Sequence, residues 1–246
     1  MIPKILHYCW FGRGEKSKLI KKCIKSWKKY CPDYEVIEWN EDNFDIDGTL
    51  WTKQAYAAEK WAFVSDYVRL YALYNFGGIY LDTDQELLKP LDVFLTDSMF
   101  LGYASSDHIS MGVLGCEKGN ETIKLFLNYY NGRSFNTKDG FDLMPNGTIM
   151  SGILKEFGFA ADGSEQTVLG CHIFPRTYFS PTNYDDYNTF FTASTYSVHH
   201  FDSSWRSAEA KKAQKRAKFH STAFYRIYEQ IAAYPIAAYK KIFKRS

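Results

Sequence analysis

Two aspartates separated by one residue, Asp82 and Asp84, are the residues of this chain whose types and spacing most directly suggest chemistry. They follow the short apolar run Ile79-Tyr80-Leu81, which has the composition of a buried strand. Side chains alternate along a strand, so Tyr80 lies on the same face as both aspartates. Paired carboxylates at the exit of a strand suit a hard divalent cation, which prefers oxygen ligands and often shares them with substrate phosphates.

A second charged pair, Asp66 and Arg69, precedes the aspartates on a predicted amphipathic helix that Gly77-Gly78 ends. Their i, i+3 spacing places both side chains on one helix face. Taken alone, such a pair is usually a surface ion pair worth a few tenths of a kcal/mol, and an Asp-x-Asp triplet is common in acidic loops. Their order along the chain, with the glycines between them, favours a site for a metal, a diphosphate and a polar sugar.

Residues 60–84 closely resemble the sugar-binding region of the DXD glycosyltransferases of family 32, which includes fungal initiating mannosyltransferases and bacterial capsule and O-antigen enzymes. Three further stretches resemble the bacterial branch: IPKILHYCWFG at 2–12, SWKKYCPDYEVIEWNEDNFD at 26–45 and YSVHHFDSSW at 196–205. The resemblance implies a GT-A fold, a nucleotide-sugar donor, a manganese or magnesium ion, and transfer with retention of anomeric configuration.

The resemblance also implies roles for the charged residues. Asp66 and Arg69 would form a clamp on the donor sugar, in which a carboxylate accepts hydrogen bonds and a guanidinium donates them. Asp82 would contact the ribose, or the metal through water, and Asp84 would bind the metal directly. Tyr80, on the face of the aspartates, would contact the ribose or the base.

Trp10 follows the first predicted strand directly, at the place where α/β proteins bind ligands. In the related enzymes an aromatic residue at this position stacks on the nucleotide base, so Trp10 is expected to bind uracil or guanine. The alternative is a tryptophan of the core.

The segment from His199 to Trp205 resembles one in which a histidine of the bacterial relatives completes the metal site. Val198 and His200 share a strand face, which favours His200 as the ligand and leaves His199 as the alternative. Imidazole among carboxylates suits manganese better than magnesium.

Asp202 and Ser203 replace the small residues that usually precede Ser-Trp in the relatives. Whether a carboxylate or a hydroxyl enters the metal sphere is therefore open, and Ser203 is included as a candidate ligand. Ser204 and Trp205 are expected to contact the donor, with Trp205 as a lid over the diphosphate.

The elements that must position these residues follow from hydrophobic periodicity and turn signals. Strands are predicted near 4–8, 34–39, 79–81, 98–103, 109–115, 167–174 and 195–201, and helices at 17–30, before Gly77, near 120–130 and near 147–157. The N-terminal order of strand, helix and strand begins a nucleotide-binding α/β sheet. Residues 1–205 are predicted to be one Rossmann-like catalytic domain, and residues 206–246 a helical extension.

The cysteines and the distribution of charge indicate the cellular compartment and the partners of the protein. Five cysteines without a C-x-x-C pair indicate reduced thiols in a cytoplasmic protein, and no signal sequence or membrane span is predicted. The net charge of +2 conceals a basic tail, since residues 206–246 contain 11 Lys or Arg and two acidic residues. Interleaved aromatic residues in this tail favour peripheral contact with an anionic membrane, at the inner face of the cytoplasmic membrane, over nucleic acid.

The sequence therefore predicts a retaining, metal-dependent glycosyltransferase. It would move a hexose or N-acetylhexosamine, from a UDP-sugar in preference, to a growing surface-polysaccharide or lipid-linked glycan acceptor. One alternative is a phosphotransferase of the haloacid dehalogenase type, although Glu86 stands where that family has Thr or Val. The other is a non-catalytic relative that binds sugar or membrane.

Overall fold

A seven-stranded mixed sheet is the largest element of the computed structural model, which describes residues 1–182 and 189–201 together with Lys212. The strands are β1 (Ile5–Cys9), β2 (Glu35–Trp39), β3 (Gly78–Leu81), β4 (Gln85–Leu87), β5 (Met99–Tyr103), β6 (Ile109–Cys116), β7 (Asn136–Thr137), β8 (Gly140–Phe141), β9 (Gln166–Val168), β10 (Cys171–Phe174) and β11 (Ser197–His199). The helices are α1 (Lys18–Tyr30), α2 (Leu50–Ala57), α3 (Trp61–Phe76), α4 (Glu121–Asn128) and α5 (Asn146–Lys155).

The strand order in the large sheet is β2-β1-β3-β6-β5-β10-β9. Strand β1 is parallel to both of its neighbours, β2 and β3, whereas β6 is antiparallel to β3 and to β5. Two small sheets are formed by β4 with β11 and by β7 with β8. The α/β, Rossmann-like class predicted from the sequence is confirmed.

Each face of the large sheet is covered by its own apolar cluster. Ser17 caps the N-terminus of helix α1, because its hydroxyl accepts the amide N–H of Ile20. The helix buries Cys23 and Trp27 against one face of the sheet. Helix α3 contributes Val64, Val68 and Leu70 to the other cluster. The alternation of β3 follows this division, because Ile79 and Leu81 belong to the first cluster and Tyr80 to the second.

The turn between α3 and β3 places the aspartates beside β1. Gly77 and Gly78 have φ angles of +68° and +100°, a backbone region that glycine adopts far more readily than other residues. A Cβ on Gly78 would lie 2.7 Å from the carbonyl oxygen of Ile5, so glycine also allows β3 to approach β1 closely.

A buried histidine connects this turn to the two parallel strands. His7 Nε2–H donates to the carbonyl of Gly77 at 2.8 Å, and His7 Nδ1 accepts the indole N–H of Trp39 at 3.1 Å. Burial lowers the pKa of His7 to about 4, although the hydrogen bond with Gly77 opposes this. The neutral imidazole is the form that can donate at one nitrogen and accept at the other.

Several predicted elements differ from the structure in extent. The strand predicted over 167–174 is two strands, β9 and β10, which form a hairpin because Leu169 and Gly170 both have positive φ angles, +50° and +73°. Helix α2, strand β4 and the β7–β8 hairpin were not predicted. The late strand is shorter than 195–201, and β11 pairs with β4 outside the large sheet.

All five cysteines are buried thiols, as predicted. Within the described part of the chain, no helix has the length and apolar character that crossing a bilayer requires. The predicted extension at 206–246, apart from the single residue Lys212, lies outside the described residues, and the boundary at 205 stays a prediction.

Candidate active site

The carboxyl ends of β2, β1 and β3 lie side by side at one edge of the sheet, since these three strands are parallel neighbours. Asp82 follows β3 directly, and Asp84 precedes β4. The amide N–H of Asp82 donates to the carbonyl of Gly112 on the adjacent β6 at 2.8 Å. The aspartates therefore extend from the sheet edge at which open α/β folds bind their ligands.

Three side chains at this edge could hold a metal ion. Ligand atoms of Asp82, Asp84 and His199 all lie within 4.8 Å of one another. His199 Nε2 is 3.2 Å from Asp84 Oδ1, and both side chains are largely buried. His199 Nδ1 is also buried and has no hydrogen-bond partner among the described residues. Two carboxylate oxygens and one imidazole nitrogen suit a manganese or magnesium ion.

The charges of this cluster also favour a cation. Burial opposes a charge on His199, but Asp84 and then Asp82 raise its pKa above the ordinary value. An imidazole that is stabilised in its charged form by two carboxylates marks a position of negative potential. The same potential would attract a metal ion.

His200, the histidine that was favoured as a ligand, faces away from the aspartates. Its Nε2 is 2.8 Å from Glu86 Oε2, and Lys22 binds the same carboxylate oxygen at 2.8 Å. The alternation along the strand was right, but the wrong face was assigned to the site. Val198 on β11 pairs with Glu86 on β4. His200 lies on the same face as Val198 and therefore contacts Glu86, whereas His199 lies on the opposite face and contacts Asp84.

Arg69 connects Asp66 with the cluster of Asp82, Asp84 and His199. This buried guanidinium lies 2.9 Å from Asp66 Oδ1 and 3.4 Å from Asp82 Oδ1. It also donates to the backbone carbonyls of Ser65 at 3.2 Å and Met111 at 2.5 Å. Two hydrogen bonds and two ion pairs thus hold the guanidinium within the protein, so its main effect is to fix both carboxylates.

Asp66 has the environment of a ligand-binding carboxyl. Burial raises its pKa to about 6, with Arg69 opposing and Asp82 reinforcing the increase. A carboxyl group buried beside only one guanidinium is costly to keep charged. Hydrogen bonds from sugar hydroxyls would compensate that cost.

Tyr80 lies on the face of the aspartates, as predicted. Its hydroxyl donates to Asp82 Oδ1 at 3.1 Å, and the Arg69 guanidinium stands 4.7 Å from the centre of its ring. Tyr80 is 2% exposed, and burial raises its pKa well above the ordinary value. The phenol is therefore a neutral donor that orients Asp82.

Trp10 lies in a surface cleft of about 450 Å³ at the ends of β1 and β2. Its indole N–H donates to the carbonyl of Gly14 at 2.7 Å, and the Lys16 ammonium stands 5.2 Å from the ring centre. Glu38 and Asn40 also line the cleft. Trp10 is half-buried and also packs against one of the apolar clusters of the core, so its role in binding a base stays a prediction.

One position that the sequence analysis missed is Gly112 on β6. A Cβ there would lie 2.9 Å from Asp82 Oδ2 and 3.5 Å from His199 Cε1, so glycine makes room for the cluster. The available signal was a glycine inside a strand pattern, which marks a close approach. Ser203, Ser204 and Trp205 lie outside the described residues, and their predicted roles stay predictions.

Part of the chain is similar to known glycosyltransferases. Residues 17–101 match the family described as "Glycosyltransferase sugar-binding region containing DXD motif", a range that includes Asp66, Arg69, Asp82 and Asp84. "Inositol phosphoceramide mannosyltransferase 3" of Schizosaccharomyces pombe is 32% identical over 126 residues, which are 48% of this chain and 34% of that protein. "Mannosyl phosphorylinositol ceramide synthase CSH1" of Saccharomyces cerevisiae is 29% identical over 122 residues, 47% of this chain and 31% of that protein.

The matched segments therefore span about half of this chain and about a third of each of these relatives. Among solved structures, one described as "PaToxG Glycosyltransferase" superimposes with a TM-score of 0.48 at 20% identity. The superposition covers 63% of this chain and 69% of that chain.

Proposed function

We propose that the chain is a metal-dependent glycosyltransferase of the GT-A fold, because residues 17–101 match the family of glycosyltransferase sugar-binding regions that contain a DXD motif. The observation that carries the proposal is the cluster of Asp82, Asp84 and His199 within 4.8 Å at the carboxyl end of β3. Together with the adjacent Asp66–Arg69 pair, it provides separate places for a divalent cation and for a sugar.

We propose that Asp82, Asp84 and His199 hold manganese or magnesium together with the diphosphate of a nucleotide sugar. The bound cation would neutralise the charge that develops on the leaving diphosphate. Asp66 would accept hydrogen bonds from hydroxyls of the transferred sugar, and Arg69 would hold Asp66 and Asp82 in place. The Trp10 cleft would accept the base.

Transfer is proposed to proceed with retention of configuration, by attack of an acceptor hydroxyl on the face of the leaving group. The anomeric C–O bond to the phosphate breaks, the new C–O bond forms, and the acceptor proton passes to the departing phosphate oxygen. This scheme requires no enzyme nucleophile, and the described residues around Asp66 and Asp82 serve only to bind and orient.

The substrates of the relatives guide the choice of donor and acceptor. These relatives are named as an inositol phosphoceramide mannosyltransferase and a mannosyl phosphorylinositol ceramide synthase, so we include mannose among the sugars of a donor screen of UDP- and GDP-hexoses. For this chain we retain the proposal of a surface-polysaccharide, capsule, O-antigen or lipid-linked glycan acceptor, used at the inner face of the cytoplasmic membrane. Sedimentation with anionic vesicles at low and high salt tests the membrane contact.

Asp84→Asn tests the central proposal, because it preserves shape and removes one ligand charge. We expect hydrolysis of the preferred nucleotide sugar in the presence of manganese to fall by at least a hundredfold while the melting temperature changes little. The matched control is Asp139→Asn, an exposed aspartate, which should retain full activity. Near-normal turnover of Asp84→Asn at limiting manganese would contradict the metal assignment.

A further inference from the structure

Asn146, the first residue of α5, is a buried polar residue to which the sequence analysis gave no role. It is 5% exposed, and its Nδ2 donates to the backbone carbonyl of Asp66 at 3.4 Å. Its Oδ1 is buried and has no hydrogen-bond partner among the described residues. A buried amide oxygen without a partner is costly, and a hydrogen bond donated by a ligand beside Asp66 would offset that cost.

The start of α5 is built to reach this position. Gly147 would place a Cβ only 2.4 Å from the carbonyl oxygen of Ile109, so glycine allows the first turn of the helix to lie against β6. Pro145 precedes the helix and supplies no side-chain cap. The amide N–H groups of Thr148 and Ile149 donate to the carbonyl of Pro145 at 3.0 and 3.2 Å, which fixes the first turn of the helix.

Asn146 also interacts with the Asp66 carboxyl group. Its amide acts to lower the pKa of Asp66, after the larger effects of burial, Arg69 and Asp82. The hydroxyl of Tyr130 likewise has no partner among the described residues. Burial is the largest cause of the raised pKa of Tyr130, and the nearby charge of Asp66 is the second. Two polar groups without a hydrogen-bond partner, Asn146 Oδ1 and the Tyr130 hydroxyl, therefore lie near Asp66 on α3.

We propose that Asn146 is a further donor-binding residue, and that Oδ1 of Asn146 and the carboxylate of Asp66 accept hydrogen bonds from two neighbouring hydroxyls of the transferred sugar. This inference rests on the proposed function and narrows it. Two acceptors side by side require two hydroxyl donors, so the site selects a hexose with free hydroxyls at both positions. A deoxy sugar at either position leaves one acceptor buried without a partner.

The test is calorimetric titration, with manganese present, of the wild-type protein and Asn146→Ala. The ligands are UDP- and GDP-hexoses, their monodeoxy analogues and the bare nucleoside diphosphates. We expect Asn146→Ala to weaken binding of the preferred hexose donor about tenfold and to leave the bare diphosphate within twofold. The monodeoxy donor that lacks the hydroxyl bound by Asn146 should have the same affinity for the wild-type protein and for Asn146→Ala. The deoxy sugar and the alanine each remove a partner of the same hydrogen bond, so removing both costs no more than removing one.

Two further variants guard the interpretation. Asn131→Ala removes an exposed asparagine and should change neither affinity. Asn146→Ser retains a side-chain oxygen at the start of the helix, so its affinity for the hexose donor should fall by less than that of Asn146→Ala. This variant still tests the role of Asn146 if the alanine variant folds poorly. Equal weakening of hexose donor and bare diphosphate, or no weakening of either, overturns the role of Asn146. A wild-type protein that binds no nucleotide sugar with manganese overturns the proposed function as well.

Discussion

The buried neutral state of His7 should make the stability of the fold fall steeply between pH 6.5 and pH 4. His7 is fully buried, with a donor at Nε2 to Gly77 and an acceptor at Nδ1 for Trp39. Burial lowers its pKa from 6.5 to about 4. A proton on Nδ1 would remove the acceptor for the Trp39 indole and place a charge among apolar residues.

The sign and size of the effect follow from linkage. Below pH 6.5 the unfolded chain binds a proton at His7, whereas the folded chain does not until about pH 4, so the free energy of unfolding falls as the pH falls. The contribution of neutral His7 to the free energy of unfolding is complete above pH 6.5 and is lost by about pH 4. The interval between the two pKa values corresponds to about 3 kcal/mol, with a slope approaching about 1.4 kcal/mol for each pH unit.

Urea denaturation followed by tryptophan fluorescence, repeated from pH 8 to pH 4.5, measures this slope. His7→Gln keeps an amide donor and an acceptor but does not titrate, so its free energy of unfolding should depend less on pH than that of the wild type. The difference between the two curves should change by about 2 to 3 kcal/mol over the interval. His108→Gln alters a more exposed histidine and should follow the wild type. Parallel curves for His7→Gln and wild type would refute the reasoning.

Two further substitutions test how the site is positioned. Gly112→Ala should weaken manganese binding at least tenfold with little change in melting temperature, since its Cβ would lie 2.9 Å from Asp82 Oδ2. The control is Gly152→Ala, whose Cβ meets nothing within 4 Å. An unchanged manganese affinity of Gly112→Ala would contradict the crowding argument. Arg69→Lys keeps the charge but not the guanidinium hydrogen bonds to the carbonyls of Ser65 and Met111, so kcat/KM should fall more than tenfold and the free energy of unfolding by about 1 to 3 kcal/mol. Arg133→Lys, at an exposed ion pair with Asp142, serves as its control in the same assays, and equal small losses in both would show that hydrogen bonding by Arg69 is unimportant.

Local signals predicted the part of the fold that carries the aspartates. The amphipathic pattern before Gly77, the glycine pair and the apolar triplet gave α3, its turn and β3 nearly to the residue. Each of these signals depends on neighbouring residues, through steric restriction of φ or alternation of side chains. The hairpin of β9 and β10 was missed although Gly170 was visible, because its turn also needs the positive φ of Leu169.

The face of β11 could not be predicted in the same way, because it is set by residues distant in sequence. Gln85 donates to the Ser197 hydroxyl at 2.6 Å and to the carbonyl of Phe179 at 2.5 Å. These buried hydrogen bonds hold Ser197, and with it His199, toward the aspartates. Alternation alone leaves two equivalent faces, and only the pairing with β4 distinguishes them.

The balance of charge explains why these residues are better understood as a ligand site than as a structural ion pair. Three carboxylates, of Asp66, Asp82 and Asp84, lie around one guanidinium at Arg69 and one imidazole at His199. All five side chains are at most 26% exposed. A structural network would pair each buried carboxylate with its own cation, because an uncompensated buried charge costs several kcal/mol. Here the excess is negative and concentrated at Asp82 and Asp84, so a divalent cation would restore the balance where the proposed chemistry requires it.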